Sequence, residues 1–389
     1  MGEKFEQEKR KEKSDQGTQQ ALLSLYEEIL ESTIDPSKKR FHSEGFNRQI
    51  TCIKIGNQPY GENALYIKEL EEIGEELGFQ VEVAEKNDKR VEDAGIVRPD
   101  GQVYFPKNDD SRSLPRYYTP KRKQITTSEQ GANWQHFQSD ALYHHGNFEQ
   151  KIQGETYLEG GNVLNTITAK GEPWAIIGEE SLIYSLNAMQ LPDTEENREK
   201  VKNQIATELG LDEQNIVFIP QFDFHIDMFY RPLNDGEIWV PDYETWIKYL
   251  EDLDDTNFPK KQKEQYLQDL KDLNKKTKNF QKNTIKLLKE QGYTITKIPC
   301  FTRASKKGRR KDWEINYSNG ICGTTPQGEK YYITNTSGID ALDQQMKTYF
   351  QTIGVDKVYF LHTQKELGEG GGIDCLTLEL SENENHASD

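Results

Sequence analysis

The chain has 389 residues, of which 34% are hydrophobic and 30% charged, and Lys+Arg 49 against Asp+Glu 66 leave a net charge of −17. An acid excess of that size argues against nucleic acid or an anionic membrane as partner, and suits a cationic ligand wherever acids line a concavity. No apolar run approaches the roughly 20 residues that cross a bilayer, and the opening MGEKFEQEKRKEKSDQG lacks the hydrophobic core of a secretion signal. Four scattered cysteines, Cys52, Cys300, Cys322 and Cys375, form no metal-ligand pair. Reduced thiols and a cytoplasmic location are the expectation.

In chain order, residues 1–45 are charged and poor in apolar side chains, and are predicted to form a flexible arm. Beyond them one pattern recurs five times: an amphipathic helix, an apolar strand, a polar motif, then a hairpin with a Gly-containing turn. The first unit has TCIKI, a helix through ENALYIKELEEIGEELG, then QVEVAE and the hairpin VEDAGIVRPDGQVYFP. The second ends in YLEGGNVLNTITAKGEPWAIIG, and the third runs from REKVKNQIATELG to FHIDMFYRPLNDGEIWVP. The fourth uses KNTIKLLKEQGYTITKIP and WEINYSNGICGTTPQGEKYYIT, and the fifth closes on GGGIDCLTLEL. Units one and three superpose through an Arg-Pro to turns at Gly101 and Gly236. A Lys- and Asp-rich stretch at about 243–285 is predicted to be a solvated helical insertion.

The polar residues fall at one stage of every unit, where the central strand begins: Glu92-Asp93, Glu159, His225-Asp227, Asn316 and Cys375. Around a common axis those positions would converge. The segment FHIDMF reads as a strand with Phe224, Ile226 and Met228 on an apolar face. Asp223, His225 and Asp227 then share the opposite face, aimed at a central site.

The motifs VEDAGIV, LEGGNVL, FHIDMFYR and GGGIDCLTLEL resemble those of the guanidino-group modifying enzymes, from about Cys52 to Leu380. That superfamily includes arginine, agmatine and peptidylarginine deiminases, dimethylarginine hydrolases and amidinotransferases. The resemblance implies an α/β fold, the pentein or α/β propeller, with five ββαβ units around a pseudo-fivefold axis. Residues 46–385 would then be one catalytic domain.

Cys375 is the nucleophile that the resemblance implies. Gly370, Gly371 and Gly372 before it allow close backbone approach and positive φ, which a buried structural thiol would not need. A guanidinium carbon, deactivated by resonance, needs a thiolate-grade nucleophile. His225 matches the general acid/base that protonates departing nitrogen and then activates water. Asp93 and Asp227 match the carboxylates that grip the guanidinium through paired, charge-assisted hydrogen bonds. Glu159 matches a further substrate-side acid, and Asn162 stands where some relatives have Asp. Arg112 and Arg116 lie about where relatives that bind free arginine hold its carboxylate. Asn316 and Asn319 both resemble a site-facing Asn.

Three departures bear on the substrate. Ser181 occupies the region of a second carboxylate-binding Arg, KRVEDAGIV lacks the tryptophan motif of agmatine deiminases, and Asp374 replaces the His that usually precedes their Cys. An acid beside the nucleophile would oppose thiolate formation, so Asp374 is expected to point away. The expected activity is deimination of peptidyl arginine or a small arginine derivative, through a thiouronium intermediate to ammonia and a citrulline-type product. Amidino transfer to an amine, agmatine deimination and guanidine binding without catalysis are the alternatives. The expected partner is a cationic guanidino substrate, with no metal or organic cofactor.

Overall fold

A computed structural model describes residues 43–56, 65–83, 95–106, 151–221, 225–253, 260–299, 302–305, 312–368 and 371–381. Strand β1 (Ile50–Ile55), helix α1 (Leu65–Leu77) and β2 (Gln80–Val83) come first, followed by β3 (Ile96–Val97), β4 (Val103–Phe105) and β5 (Lys151–Gln153). Next are β6 (Val163–Ile167), β7 (Pro173–Gly178), α2 (Glu179–Ala188), α3 (Glu195–Leu209) and β8 (Ile216–Ile219). The third group is β9 (Arg231–Pro232), β10 (Glu237–Pro241), α4 (Tyr243–Asp252), α5 (Lys260–Glu290) and β11 (Thr294–Ile298). A hairpin of β12 (Thr302–Ser305) and β13 (Asp312–Asn316) precedes β14 (Gly320–Thr324), β15 (Lys330–Asn335), α6 (Asp340–Thr352) and β16 (Lys357–Leu361). Helix α7 (Gln364–Gly368) and β17 (Thr377–Ser381) complete the order.

Among the described residues five sheets have three strands each, and all five share one pairing pattern. A central strand pairs antiparallel with one neighbour and parallel with the other, as in Val163↔Ile177 of β6–β7 and Ala175↔Ile216 of β7–β8. The fifth sheet joins the two ends of the chain, with β17 antiparallel to β1 and β1 parallel to β2. Parallel pairing demands a crossover, and helices supply it after β1, β7, β10 and β15. The turns aligned in the sequence at Gly101 and Gly236 both have positive φ, +84° and +69°, which is why glycine stands there.

Local signals explain the helix ends. The Thr194 side chain caps α3 by accepting from Asn197 N at 3.3 Å, Glu195 and Glu196 face the positive end of its dipole, and Gly210 ends it in the left-handed region. Asp242 caps α4 in the same way, accepting from Thr245 N at 3.2 Å. Among the described residues no helix is long and apolar enough to cross a membrane.

Two expectations need correction. The predicted insertion is not a solvated excursion. Helix α5 runs unbroken through Glu290 and buries Tyr266, Leu270, Leu273, Thr277, Thr284 and Leu288 along one face. Those spacings of three, four and seven form a helical stripe, and its apolar members join the large core around Trp239 and Trp246. The many lysines concealed a face that is narrow but continuous. The predicted arm is also too long. Ser43 and Glu44 are already buried, and Phe46 N donates to Leu233 O at 2.7 Å. Charge misled there, because Glu44 has a buried cationic partner remote in sequence. Every described element lies in the compact unit Phe41–Asp389.

Candidate active site

Of the segment expected to be the strand FHIDMF, His225–Phe229 form a turn instead, and Asp223 and Phe224 lie outside the described residues. Phe229 N and Tyr230 N both donate to Ile226 O, at 3.0 and 2.9 Å, and extended structure begins only at Arg231. His225, Ile226, Asp227 and Met228 are all at most 1% exposed, so the alternation does not separate core from solvent. It separates two buried environments. Ile226 and Met228 enter the large apolar core, whereas His225 and Asp227 enter a polar cluster.

Glu159 reaches that cluster from the link between β5 and β6. Glu208 of α3 holds the chain just before it, accepting from Glu155 N at 2.6 Å and Thr156 N at 3.2 Å. Tyr157 Oη donates to Glu159 Oε1 at 3.1 Å, and Glu159 Oε2 lies 2.7 Å from His225 Nε2. The adjoining Gly161 makes room for this pair. A Cβ there would collide with the His225 ring, and Gly161 O accepts from Asp227 N at 3.1 Å. Glycine serves here for close approach.

Cys375 lies in a 3-10 turn, Asp374–Leu376, immediately before β17. Its thiol donates to Asp227 Oδ2 at 3.2 Å, and Asn319 Nδ2 donates to Cys375 Sγ at 3.3 Å and also to Asp227 Oδ2. Gly372 permits that approach, since a Cβ would strike Asn319 Oδ1 and come 2.8 Å from Asn335 Nδ2. Neither Gly371 nor Gly372 has positive φ. Close packing is therefore the role of Gly372, and the left-handed conformation expected of these glycines is not used at either; Gly370 lies outside the described residues.

Asn319, not Asn316, touches the thiol. Asn316 ends β13, donates to Met228 O at 3.1 Å, and its Oδ1 accepts from Ser318 N and Asn319 N at 2.7 and 3.1 Å. It shapes the loop that presents Asn319. The position rule singles out Asn316, which stands four residues before β14 as Glu159 stands four before β6, so spacing alone does not find Asn319, the residue directly preceding β14. Asn162 is buried and accepts from Gln221 Nε2 at 2.8 Å, a partner that its motif did not suggest. Asp93, Arg112 and Arg116 lie outside the described residues.

Asp374 is 2% exposed, and its carboxylate accepts from Arg231 Nη2. Burial pushes the Asp374 carboxyl well above its usual range; Arg231 opposes this, and Glu379, Asp227 and Glu44 add to the rise. Burial works to lower the pKa of Arg231, but Asp374 and Glu44 outweigh it and raise it. The raised carboxyl of Asp374 would by itself favour its neutral form; the direct guanidinium–carboxylate contact is what makes the two an ion pair held inside the protein.

His225, Asp227 and Cys375 each offer one ligating atom, all within 4.8 Å of one another. One divalent ion could be held by such a set. So could a planar guanidinium, with its carbon over sulfur and its N–H groups against carboxylate. Asp227 Oδ1 favours the second occupant, because it is buried and accepts no hydrogen bond among the described residues. An unpaired buried carboxylate oxygen is costly, and a cationic fork of donors offsets that cost.

No protein-family model matches the sequence, and no curated protein matches it. Solved structures do match. An agmatine deiminase from C. jejuni aligns over 87% of this chain and 95% of its own, with 14% identity and a TM-score of 0.51. A cysteine-to-serine variant of the C. jejuni enzyme with substrate bound aligns over 88% and 96%, with 14% identity and a TM-score of 0.53. A protein provisionally named peptidyl-arginine deiminase aligns over 89% and 99%, with 16% identity and a TM-score of 0.51. The chain is thus an α/β protein with the fold of these deiminase structures.

Proposed function

We propose that the chain is a deiminase acting on the guanidinium group of arginine, in a site where Cys375, His225, Asp227 and Glu159 carry the chemistry. The observation behind this reading is that three segments remote in sequence bring a thiol, a His–Glu pair and a half-satisfied carboxylate into one buried cluster. Asp227, with Asp93 as the expected second acid, grips the guanidinium. Cys375 Sγ attacks the central carbon as its proton passes to His225, and a tetrahedral adduct forms. His225, protonated beside Glu159, gives a proton to one nitrogen, ammonia departs and a thiouronium remains. Water then adds with its proton going to His225, the C–S bond breaks, and a ureido product and the free thiol are restored. The five matching sheets are read here as the five units of a ring around a common axis, which is what would bring their leading residues together.

The substrate is taken to be an arginine whose backbone is masked, as in a peptide or a small derivative. Ser181 stands where an α-carboxylate would need a second Arg, and it is buried with no hydrogen-bond partner for its hydroxyl among the described residues. Agmatine is the second reading, favoured by the likeness of fold to agmatine deiminase structures. Ammonia and ureido product measured with N-acylated arginine amide, free arginine and agmatine decide between them. Preference for free arginine would overturn the masked-backbone reading. Product that requires an added amine would point to amidino transfer.

A further inference from the structure

We infer that Glu44, Arg231 and Asp374 form a positioning network that clamps together the three segments carrying the proposed catalytic groups. The inference rests on the active-site reading above, and it adds residues that touch no substrate. Arg231 lies four residues after Asp227, and Asp374 directly precedes Cys375. Their ion pair therefore ties the turn of His225 and Asp227 to the turn of the nucleophile. Arg231 Nη1 also donates to Glu44 Oε2 at 3.1 Å. Glu44 reaches the third segment: its Oε1 accepts from Asn165 N at 2.9 Å and its own N donates to Asn165 O at 2.9 Å. Asn165 belongs to β6, the strand that follows Glu159 and Gly161.

The arrangement is rigid for an electrostatic reason. Arg231 is 1% exposed, so its charge has no water to fall back on and must keep both carboxylates in place. The planar fork fixes direction as well as distance, as a lysine would not. Displacing any one member moves a catalytic segment. A loss of about 1 Å in such alignment costs up to about a hundredfold in rate. The short segment Ser43–Arg48 is then part of the catalytic apparatus, since it supplies Glu44 and is anchored besides by Phe46 N to Leu233 O and by Thr324 N to Arg48 O, at 2.7 and 2.9 Å.

The test uses Glu44→Gln and Asp374→Asn in the full chain, with Arg98→Met as a control. Arg98 is also buried and ion-paired, to Asp100 at 2.9 Å, but it ties the two ends of one hairpin turn. For Glu44→Gln and Asp374→Asn we expect kcat to fall by about 10- to 100-fold with KM nearly unchanged. Alkylation of Cys375 by chloroacetamidine should slow in parallel. Arg98→Met should lower the melting temperature while kcat stays within about threefold. Wild-type kcat and alkylation rate in a folded Glu44→Gln protein would overturn the network. So would losses that track melting temperature equally in all three variants. If the wild type turns over no guanidine, the functional reading fails alone, because the alkylation comparison still reports whether the network positions Cys375.

Discussion

Cys322 and Cys375 are both buried cysteines at the front of a sheet strand or within it, 1% and 0% exposed, yet their surroundings differ in kind. Cys322 lies within β14, and its nearest polar partner is Pro232 O, 4.0 Å from the sulfur. Burial pushes its thiol up to about 12, Arg231 and Arg48 pull it down, and Asp374 and Glu44 raise it again. Cys375 instead has an amide donor at 3.3 Å and a carboxylate acceptor at 3.2 Å. Depth does not separate the two thiols. What separates them is that only the Cys375 sulfur is hydrogen-bonded to groups that would face a substrate in the proposed reaction.

The largest expected effect breaks this comparison directly. Cys375→Ser should reduce deimination by at least about 10⁴-fold, since the nucleophile of the covalent step is lost. Cys322→Ser should leave kcat within a few-fold and lower stability, because a buried hydroxyl costs more to desolvate than a thiol. Steady-state kinetics and thermal melts of the two variants read both outcomes. Equal activity in the two would sink the assignment of Cys375.

Next comes the His225–Glu159 pair. Gly161→Ala places a methyl group against the imidazole and should displace it from Glu159. His225→Ala removes the acid/base outright, and we expect a loss of about 10²–10⁴-fold in kcat. Gly161→Ala should come close to that loss with a smaller change in KM. A Gly161→Ala enzyme with wild-type kcat would show that His225 does not act from the position seen here. A third test concerns the half-satisfied carboxylate. Asp227→Asn removes a charged acceptor worth about 1.5–3 kcal/mol, so KM for a guanidine should rise by roughly ten- to a hundredfold.

Much of this organisation was readable from the chain. The hairpins, their glycine turns and the order of polar motifs follow from alternation and turn chemistry, which are local. The convergence of Glu159, His225, Asp227 and Cys375 was reached by treating five imperfect repeats as equivalent. What escaped were features fixed by remote partners. FHIDMF alternates like a strand, yet its described part, His225–Phe229, is a turn whose two faces are both buried. Glu44 looks like part of a charged arm until Arg231 is placed beside it. Asn316 and Asn319 are chemically alike, and only the folded loop between β13 and β14, which Asn316 holds from within, decides which of them meets the thiol.

The smallest effect sharpens the comparison of cysteines without any mutation. Burial raises Cys52 to about 11, with Glu82 adding to the rise and Lys54 opposing it, while Cys322 stands at about 12. A raised pKa means less thiolate at a given pH, so at pH 8 only about 10⁻³ of Cys52 and 10⁻⁴ of Cys322 are ionised, against a substantial fraction of an ordinary thiol. Alkylation of both should therefore be slow at pH 8 and rise about tenfold per pH unit up to pH 10. Chloroacetamidine carries a cationic amidine that the half-satisfied Asp227 beside Cys375 can hold, whereas the acids near Cys52 and Cys322 are already paired, Glu82 with Lys54 and Glu44 and Asp374 with Arg231. Peptide mapping after brief labelling at pH 8 should thus find Cys375 modified ahead of Cys52 and Cys322. Replacing the reagent with neutral iodoacetamide should shrink that preference, because the carboxylate no longer recruits it. Equal preference with both reagents would mean that the sulfur alone, and not the acids around it, sets the selectivity.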